Sequence, residues 1–319
     1  MGANMRVLYY DNCWFTNVGE SFIDIGAMEI IKKIFPGCRI ANSSNMSSYY
    51  VTTRKSRKKF LSATPKAVSE RFRLADILNI FDFEYLVLAG MFVSAQHLKG
   101  DVSKLVCSAA RQGKKIIFLG LGQEPDISEK TIADFRQYLK EINPILIMTR
   151  DTKTYDAFKT SVNCIHGIDA AFWVKDIYDP RGFSKGSYDI VSFNRTEEPL
   201  KFSNNWEYPI IRPYHFQLSY PEQGQTKKNT FISDIPYDYL SLYANANKVY
   251  TDLVHATIIS LQYGKEVEYT YTDSRADAFL DMDFISKRNG TLCLNEIALE
   301  KTKARIIDEI KNRLMKEGI

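Results

Sequence analysis

The sequence predicts an α/β protein of two doubly wound domains in tandem, and three observations carry that prediction. At 319 residues the chain is roughly twice the ~100–200 residues of one domain. Through its first half, short β-branched or aromatic runs alternate with amphipathic stretches, the β-α-β-α order that builds a parallel sheet covered on both faces. The same alternation then resumes after Asp176-Ile-Tyr-Asp-Pro-Arg-Gly-Phe-Ser-Lys-Gly, a segment rich in turn formers. This places the boundary near Tyr178, with a first domain over 1–177 and a second over 178–319.

In the first half, strands are predicted at Arg6–Tyr10, Cys38–Ala41, Glu84–Ala89, Lys115–Leu119 and Pro144–Met148, each too short for a helix. Helical periodicity fills the gaps at Ser21–Ile34, Pro65–Ile80, Asp101–Gln112, Ser128–Ile142 and Thr152–Lys159. In the second half the strands are Tyr188–Phe193, Tyr208–Ile211, Thr230–Ile232, Lys248–Tyr250 and Glu266–Tyr269, with helices at Tyr237–Asn245, Val254–Tyr263 and Asn295–Met315. The last helix carries Ile297, Leu299, Ile306, Ile307, Ile310 and Leu314 on an approximate stripe that needs a surface to cover.

Hydrophobic residues at 45%, aromatic at 13% and charged at 25% exclude disordered and fibrous classes. Lys and Arg number 42 against 38 Asp and Glu, and a net charge of +4 is too mild for a nucleic-acid footprint. The cysteines Cys13, Cys38, Cys107, Cys164 and Cys293 form no C-x-x-C pair, so neither a zinc site nor a disulfide framework is expected, and a cytoplasmic location is. The first residues lack a signal-peptide pattern, and Arg6 stands where a myristoylation motif wants Ser or Thr. The densest apolar run, Tyr85–Val93, is nine residues long against the ~20 that span a bilayer, so no transmembrane segment is expected. Ser43–Lys59 is a polar insert ending in Arg54, Lys55, Arg57, Lys58 and Lys59, either a solvated loop or a dock for an acidic lipid or acceptor.

Ligands of open α/β sheets bind beyond the carboxyl ends of the strands, so the residues after each strand carry the chemistry. Asn17-Val18-Gly19-Glu20 opens the first helix. It is either an anion seat built from backbone N–H groups or a simple turn with Glu20 serving the helix dipole. Thr149-Arg150-Asp151 ends a strand. Arg150 either faces the cleft or pairs with a structural carboxylate, with Asp151 capping the next helix. Arg195 holds the equivalent place in the second half. Asp252 and His255 follow Lys248–Tyr250, and His255 is expected one turn into an apolar helix, as either a proton-transfer group or a satisfied, partly buried side chain. Of the other histidines, His97 is predicted on a surface loop, and His166 and His215 near turns in structural roles. Trp14, Phe15 and Tyr214 can stack on a sugar ring or sit in the core.

The Asn17-Val-Gly19-Glu20 start, the Thr149-Arg150-Asp151 junction, His166-Gly-Ile-Asp169-Ala-Ala-Phe172 and the stretch from Asp252-Leu-Val-His255 to Gly264-Lys-Glu-Val together resemble the polysaccharide pyruvyl transferase family. The resemblance runs from about residue 6 to residue 285. Three positions depart from the family pattern: Glu20 for Asp, Gly90-Met91-Phe92 for a glycine-rich turn, and Leu253 where many members carry Arg. The resemblance implies two Rossmann-like domains facing across a cleft, as in GT-B glycosyltransferases, where a terminal helix can cross back to the first domain.

It further implies transfer of a pyruvyl group from phosphoenolpyruvate to hydroxyls of a cell-surface or exopolysaccharide sugar as a ketal. The acceptor class includes lipid-linked saccharides, which would bring the protein to the inner face of the membrane. On that reading His255 is the catalytic proton donor, Arg150, Arg195, Asn17 and Gly19 bind the donor, and Glu20, Asp151 and Asp252 support the site or the acceptor. Arg150 and Arg195 are expected to meet across the cleft. No metal and no cofactor beyond the donor substrate is called for. Two other readings stand beside it: a GT-B-like glycosyltransferase using a nucleotide sugar, with Glu266 or Glu268 gripping the ribose, and a catalytically silent sugar-binding protein.

Overall fold

The computed structural model describes residues 5–11, 17–44, 81–124, 126–183, 187–202, 206–215, 227–270 and 282–318. The predicted helix Pro65–Ile80, the basic end of the Ser43–Lys59 insert, and Cys13, Trp14 and Phe15 lie outside these residues. Contacts divide the chain into a first unit of residues 1–14, 27–170 and 304–319 and a second unit of residues 15–26 and 171–303. The sequence signal for a boundary lies a few residues further on, at Tyr178.

The first unit holds strands β1 (Arg6–Asp11), β2 (Arg39–Ser44), β3 (Tyr85–Ala89), β4 (Phe92–Val93), β5 (Lys115–Gln123), β6 (Leu146–Thr149) and β7 (Cys164–His166). Among the described residues their order is β2-β1-β3-β5-β6-β7, with β4 beside the far end of β5, and every pairing is parallel. Val7, Leu8, Tyr9 and Tyr10 are all buried, as a strand covered on both faces requires. Between β1 and β3 the strand order reverses, the point beyond which ligands bind in such sheets. Gly120, at φ 75, takes up a register shift between Leu119 and Leu121. The bulge lets the end of β5 pair with β4 while Leu121 still accepts the N–H of Arg150 at 3.0 Å.

Helix α1 (Val18–Ile34) starts in the second unit and ends in the first. α2 (Ala95–Lys99), α3 (Asp101–Arg111), α4 (Glu129–Ile142) and α5 (Thr152–Phe158) belong to the first. α4 shows why the local signal succeeds. Ser128 caps it by accepting the Thr131 N–H, Ile132, Phe135, Leu139 and Ile142 form one buried stripe, and Asn143 ends it in the left-handed region at φ 44.

His97 corrects a prediction. It lies in the short helix α2, capped by Ser94, with its ring 6.1 Å from Phe135. The sequence Gln-His-Leu-Lys-Gly is polar enough to resemble a loop, but the cap and the apolar surface of α4 draw the histidine inward. Burial pushes its pKa down to about 4.

The second unit contains α6 (Val174–Ile177), β8 (Asp189–Ser192), β9 (Ile210–Pro213), β10 (Thr230–Phe231), α7 (Pro236–Asn245), β11 (Lys248–Thr251), α8 (Val254–Gln262), β12 (Glu266–Tyr269), β13 (Ile285–Arg288) and β14 (Thr291–Leu294). Their order is β10-β9-β8-β11-β12-β14-β13. β8 to β12 pair in parallel, and β14 joins β12 and β13 antiparallel. The β13–β14 hairpin has no counterpart among the predicted strands, since Ile-Ser-Lys-Arg is mostly exposed and carries no apolar alternation. Here too the order reverses, between β8 and β11.

The terminal helix α9 (Glu296–Lys316) forms as predicted, and its residues from Ala304 onward belong to the first unit. Leu299, Ile306, Ile307, Ile310 and Leu314 are buried, whereas Ile297, assigned to the same stripe, is 72% exposed. Lys303 is 4% exposed, neutralised by Asp176 at 2.5 Å and Glu300 at 2.7 Å.

Candidate functional site

In the second unit, the carboxyl ends of β8, β9 and β11 and the start of α1 are knitted together by hydrogen bonds. Asn17 caps α1: its Oδ1 accepts the Gly19 N–H at 3.0 Å, and its carbonyl accepts the Glu20 N–H at 3.0 Å. Val18 donates to the His215 carbonyl at 3.0 Å. All three amides of this first turn therefore have partners within the protein, so the backbone anion seat considered at Gly19 is already filled. His255, the second residue of α8, lies against Gly19 instead. A Cβ placed on that glycine would stand 2.4 Å from His255 Nδ1.

Asp252, 1% exposed, is the clamp of this unit. Its carboxylate accepts N–H groups from Asn194 at 3.1 Å, Arg195 at 2.9 Å and Thr196 at 2.7 Å, and the Thr196 hydroxyl at 3.0 Å. These bonds shape the loop after β8, on which Arg195 is exposed. The far side of the loop is fixed by Glu198, which takes two 2.8 Å hydrogen bonds from Arg212 and a third contact from Lys227 at 3.2 Å. These cations hold the Glu198 carboxyl below its ordinary range against the upward push of burial. Asn194 closes the circuit by accepting the His215 N–H at 2.9 Å.

His215, expected near a turn in a structural role, sits at the centre of this network. Its Nε2 meets the Tyr243 hydroxyl at 2.7 Å, Phe22 packs edge-on to its ring, and complete burial with the nearby His255 pushes its pKa down to about 3. Position alone gave no sign of this. The available signal was the apolar helix Tyr237–Asn245, whose Tyr239 and Tyr243 must find polar partners once buried.

In the first unit, Arg150 follows β6 and is 11% exposed. Its Nη1 meets Asp169 Oδ2 at 3.2 Å, its guanidinium lies 4.4 Å from the centre of the Phe92 ring, and a Cβ on Gly122 would stand 2.4 Å from its Nε. The aromatic residue within Gly90-Met91-Phe92 thus gives the arginine a cation–π floor. Asp169, part of the His166-Gly-Ile-Asp169 segment, is a supporting residue the sequence did not single out for a role. Asp151 caps α5, receiving the Thr154 N–H at 2.6 Å and the Thr154 hydroxyl at 2.8 Å. His166 touches Thr152 at 3.3 Å, and burial lowers its pKa.

Leu253 is buried at 5% exposure, with its N–H on Thr251 Oγ1. Tyr214 is half-buried, and its carbonyl takes the Tyr239 hydroxyl. Glu266 and Glu268 lie on β12, where Glu268 pairs with Lys201 at 2.6 Å. Among the described residues, no group of three or more His, Cys, Asp or Glu could hold a metal ion.

The sequence profile of the polysaccharide pyruvyl transferase family matches residues 17–267, a span that includes every residue of both arrangements. The chain belongs to this family. A polysaccharide pyruvyl transferase family protein is a transferase acting on polysaccharide, and no helix among the described residues of this one is long and apolar enough to cross a membrane. No curated protein sequence matches it.

Solved structures show the fold. The S. aureus MnaA–UDP co-structure aligns with TM-score 0.53 at 8% identity, over 95% of this chain and 88% of that one. A putative UDP-N-acetylglucosamine 2-epimerase from Listeria monocytogenes aligns with TM-score 0.50 at 9% identity, over 98% and 89%. E. coli heptosyltransferase WaaC with ADP gives 0.44 at 15% identity, over 84% and 88%. At these identities the likeness to the first two is one of fold, two Rossmann-like units of the GT-B type.

Two histidines withdrawn from solvent, the half-buried His97 and the buried His215, make folding stability depend on pH. His97 and His215 are neutral in the folded protein, with pKa values of about 4 and about 3 against an ordinary 6.5. The unfolded chain therefore binds protons first, so stability is full above pH 6.5 and declines as pH falls through the window down toward 3. Melting temperature measured between pH 7.5 and pH 5 should drop, and His97→Phe should flatten part of that slope. An unchanged slope in the variant would refute the assignment for His97.

Proposed function

We propose that this protein transfers a pyruvyl group from phosphoenolpyruvate to two hydroxyls of a saccharide, forming a ketal. The observation that carries the reading is His255, inside the family span, fixed at the start of α8 against a glycine of the Asn17-Val-Gly19-Glu20 turn.

The chemistry follows from what ketal formation demands. His255 gives a proton to the methylene carbon of the enol, and positive charge develops on the carbon bearing carboxylate and phosphate. One sugar hydroxyl attacks that carbon and releases its proton. Phosphate then leaves with the electron pair of its C–O bond, a second hydroxyl closes the ring, and its proton is released. Of the two protons lost by the hydroxyls, one restores His255 and the other goes to phosphate or solvent.

Arg150 and Arg195 are the cations proposed for the donor's carboxylate and phosphate, with a planar guanidinium supplying orientation as well as charge. Asp169, Phe92 and Gly122 hold Arg150, and Asp252 holds the loop of Arg195. Asn17 and Gly19 build the site instead of touching the donor.

A second reading, transfer from a nucleotide sugar, draws on the MnaA structure, which was solved with UDP. Calorimetric titration separates the two: phosphoenolpyruvate should bind and UDP-sugars should not. Binding of UDP-sugars alone would replace the proposal with the second reading. Phosphoenolpyruvate at ~100 times its Kd should also stabilise the fold by about 2.7 kcal/mol. Arg150→Lys keeps the charge but loses the fork, and should weaken donor binding about tenfold, read from the loss of that thermal shift. Full retention of the shift in Arg150→Lys would remove Arg150 from donor binding.

A further inference from the structure

We infer that Gly19 is a positioning residue for His255: the absent side chain leaves the surface on which the imidazole lies, and that surface fixes where the ring points. The inference deepens the proposed function and rests on it only where turnover is concerned.

Glycine is among the poorest helix formers, so a glycine in the first turn of a seventeen-residue helix needs a cause. Two ordinary causes fail. Gly19 is not among the residues of positive φ, so its backbone does not require glycine. Its N–H is bonded to Asn17 Oδ1, so the missing side chain does not serve to bring an anion onto that amide.

What remains is space. A Cβ at position 19 would lie 2.4 Å from His255 Nδ1, 3.0 Å from its Cγ and 3.1 Å from its Cβ, and the first of these is closer than real Cβ contacts come. The Nδ1–Cγ edge of the imidazole therefore occupies the volume that any other residue's Cβ would fill.

Neither wall can retreat to make room. On one side, the start of α1 is pinned by Val18 on the His215 carbonyl, by Asn17 on the Gly19 and Glu20 amides, and by Phe22 against the His215 ring. On the other, the start of α8 is pinned by Leu253 on Thr251 Oγ1 and by Asp252 on the loop after β8. With both backbones fixed, a methyl group at position 19 must turn the histidine away. Ring direction is what a proton donor cannot lose, since displacement by about 1 Å can cost ~10²-fold in rate.

The test is a thermal and kinetic cycle on the full chain. Gly19→Ala should lower the melting temperature of the wild-type protein, because the methyl meets the imidazole. In a His255→Ala background the same change should raise it, because alanine is the better helix former and nothing is left to meet. If Gly19→Ala alone fails to fold, recovery of folding on adding His255→Ala is the supporting result. A shift of the same sign in both backgrounds, or a double variant that also fails to fold, overturns the inference.

In the ligand-free protein the His255 imidazole NMR resonances should move in Gly19→Ala, and resonances unchanged from wild type would overturn it. With phosphoenolpyruvate and an acceptor, Gly19→Ala should reduce kcat about 10²-fold and leave the KM for the donor within about threefold. Should the wild-type protein show no pyruvyl transfer, the proposed function fails, while the thermal cycle and the resonances still decide the role of Gly19.

Discussion

His255→Asn is expected to reduce pyruvyl transfer by about 10²–10⁴-fold, the range a positioned general acid supplies. Asparagine fills similar space at the start of α8 and presents a polar atom near Gly19, but it cannot deliver a proton to the enol carbon. Donor binding should survive, because the cations assigned to carboxylate and phosphate are Arg150 and Arg195. The loss should thus appear in kcat with little change in the donor KM, the pattern of an interaction made in the transition state. The comparison needs an acceptor on which wild type is active and a melting curve showing that the variant is folded. Near-normal turnover would remove His255 from the mechanism. Asp151 is then a poor replacement, since both its carboxylate oxygens cap α5 through Thr154, and Glu20 would be the acid to examine.

Asp252→Ala should have the largest effect on stability at the site. The carboxylate accepts four hydrogen bonds at 2.7–3.1 Å from Asn194, Arg195 and Thr196, and it is almost wholly buried. Removing it leaves three amide donors of the loop without their acceptor, each costing about 1–3 kcal/mol where water cannot replace it. A net loss on the order of 3–5 kcal/mol is expected after partial rehydration of the exposed loop. Chemical denaturation measures it. Because the loop carries Arg195, donor affinity should fall as well. Asp252→Asn keeps one acceptor oxygen and should fall between wild type and Asp252→Ala. A loss below about 1 kcal/mol in Asp252→Ala would show that the loop holds its shape without this clamp.

The two sheets were legible because their strands, such as Val7-Leu-Tyr-Tyr10, are continuous apolar runs of strand length separated by periodic helices. Elements without that signal were not. β13 is mostly exposed, β4 is two residues long, and α2 owes its place to one serine cap and to the surface of α4. The positions after the strands drew attention to Arg150, Arg195, Asp252 and His255, each of which follows a strand in the structure.

What such positions could not show is which partner each side chain takes. The Asn17–Gly19 turn carries both an anion-seat and a simple-turn reading until the cap and the neighbouring imidazole are seen. Arg150 carried both a cleft-facing and a paired reading, and its pairing with Asp169 spans nineteen positions of sequence. His215 gave no sign in its own surroundings, since its burial depends on Tyr239, Tyr243 and Phe22, which the fold brings together from distant segments.

The most direct measurement incubates the wild-type protein with phosphoenolpyruvate and a panel of saccharides bearing hydroxyl pairs able to close a ketal ring. Released phosphate and the new ketal methyl group are followed by NMR. Phosphate release should depend on acceptor and match ketal formation in equal amounts. Phosphoenolpyruvate left intact across the panel while a UDP-sugar is consumed would contradict pyruvyl transfer.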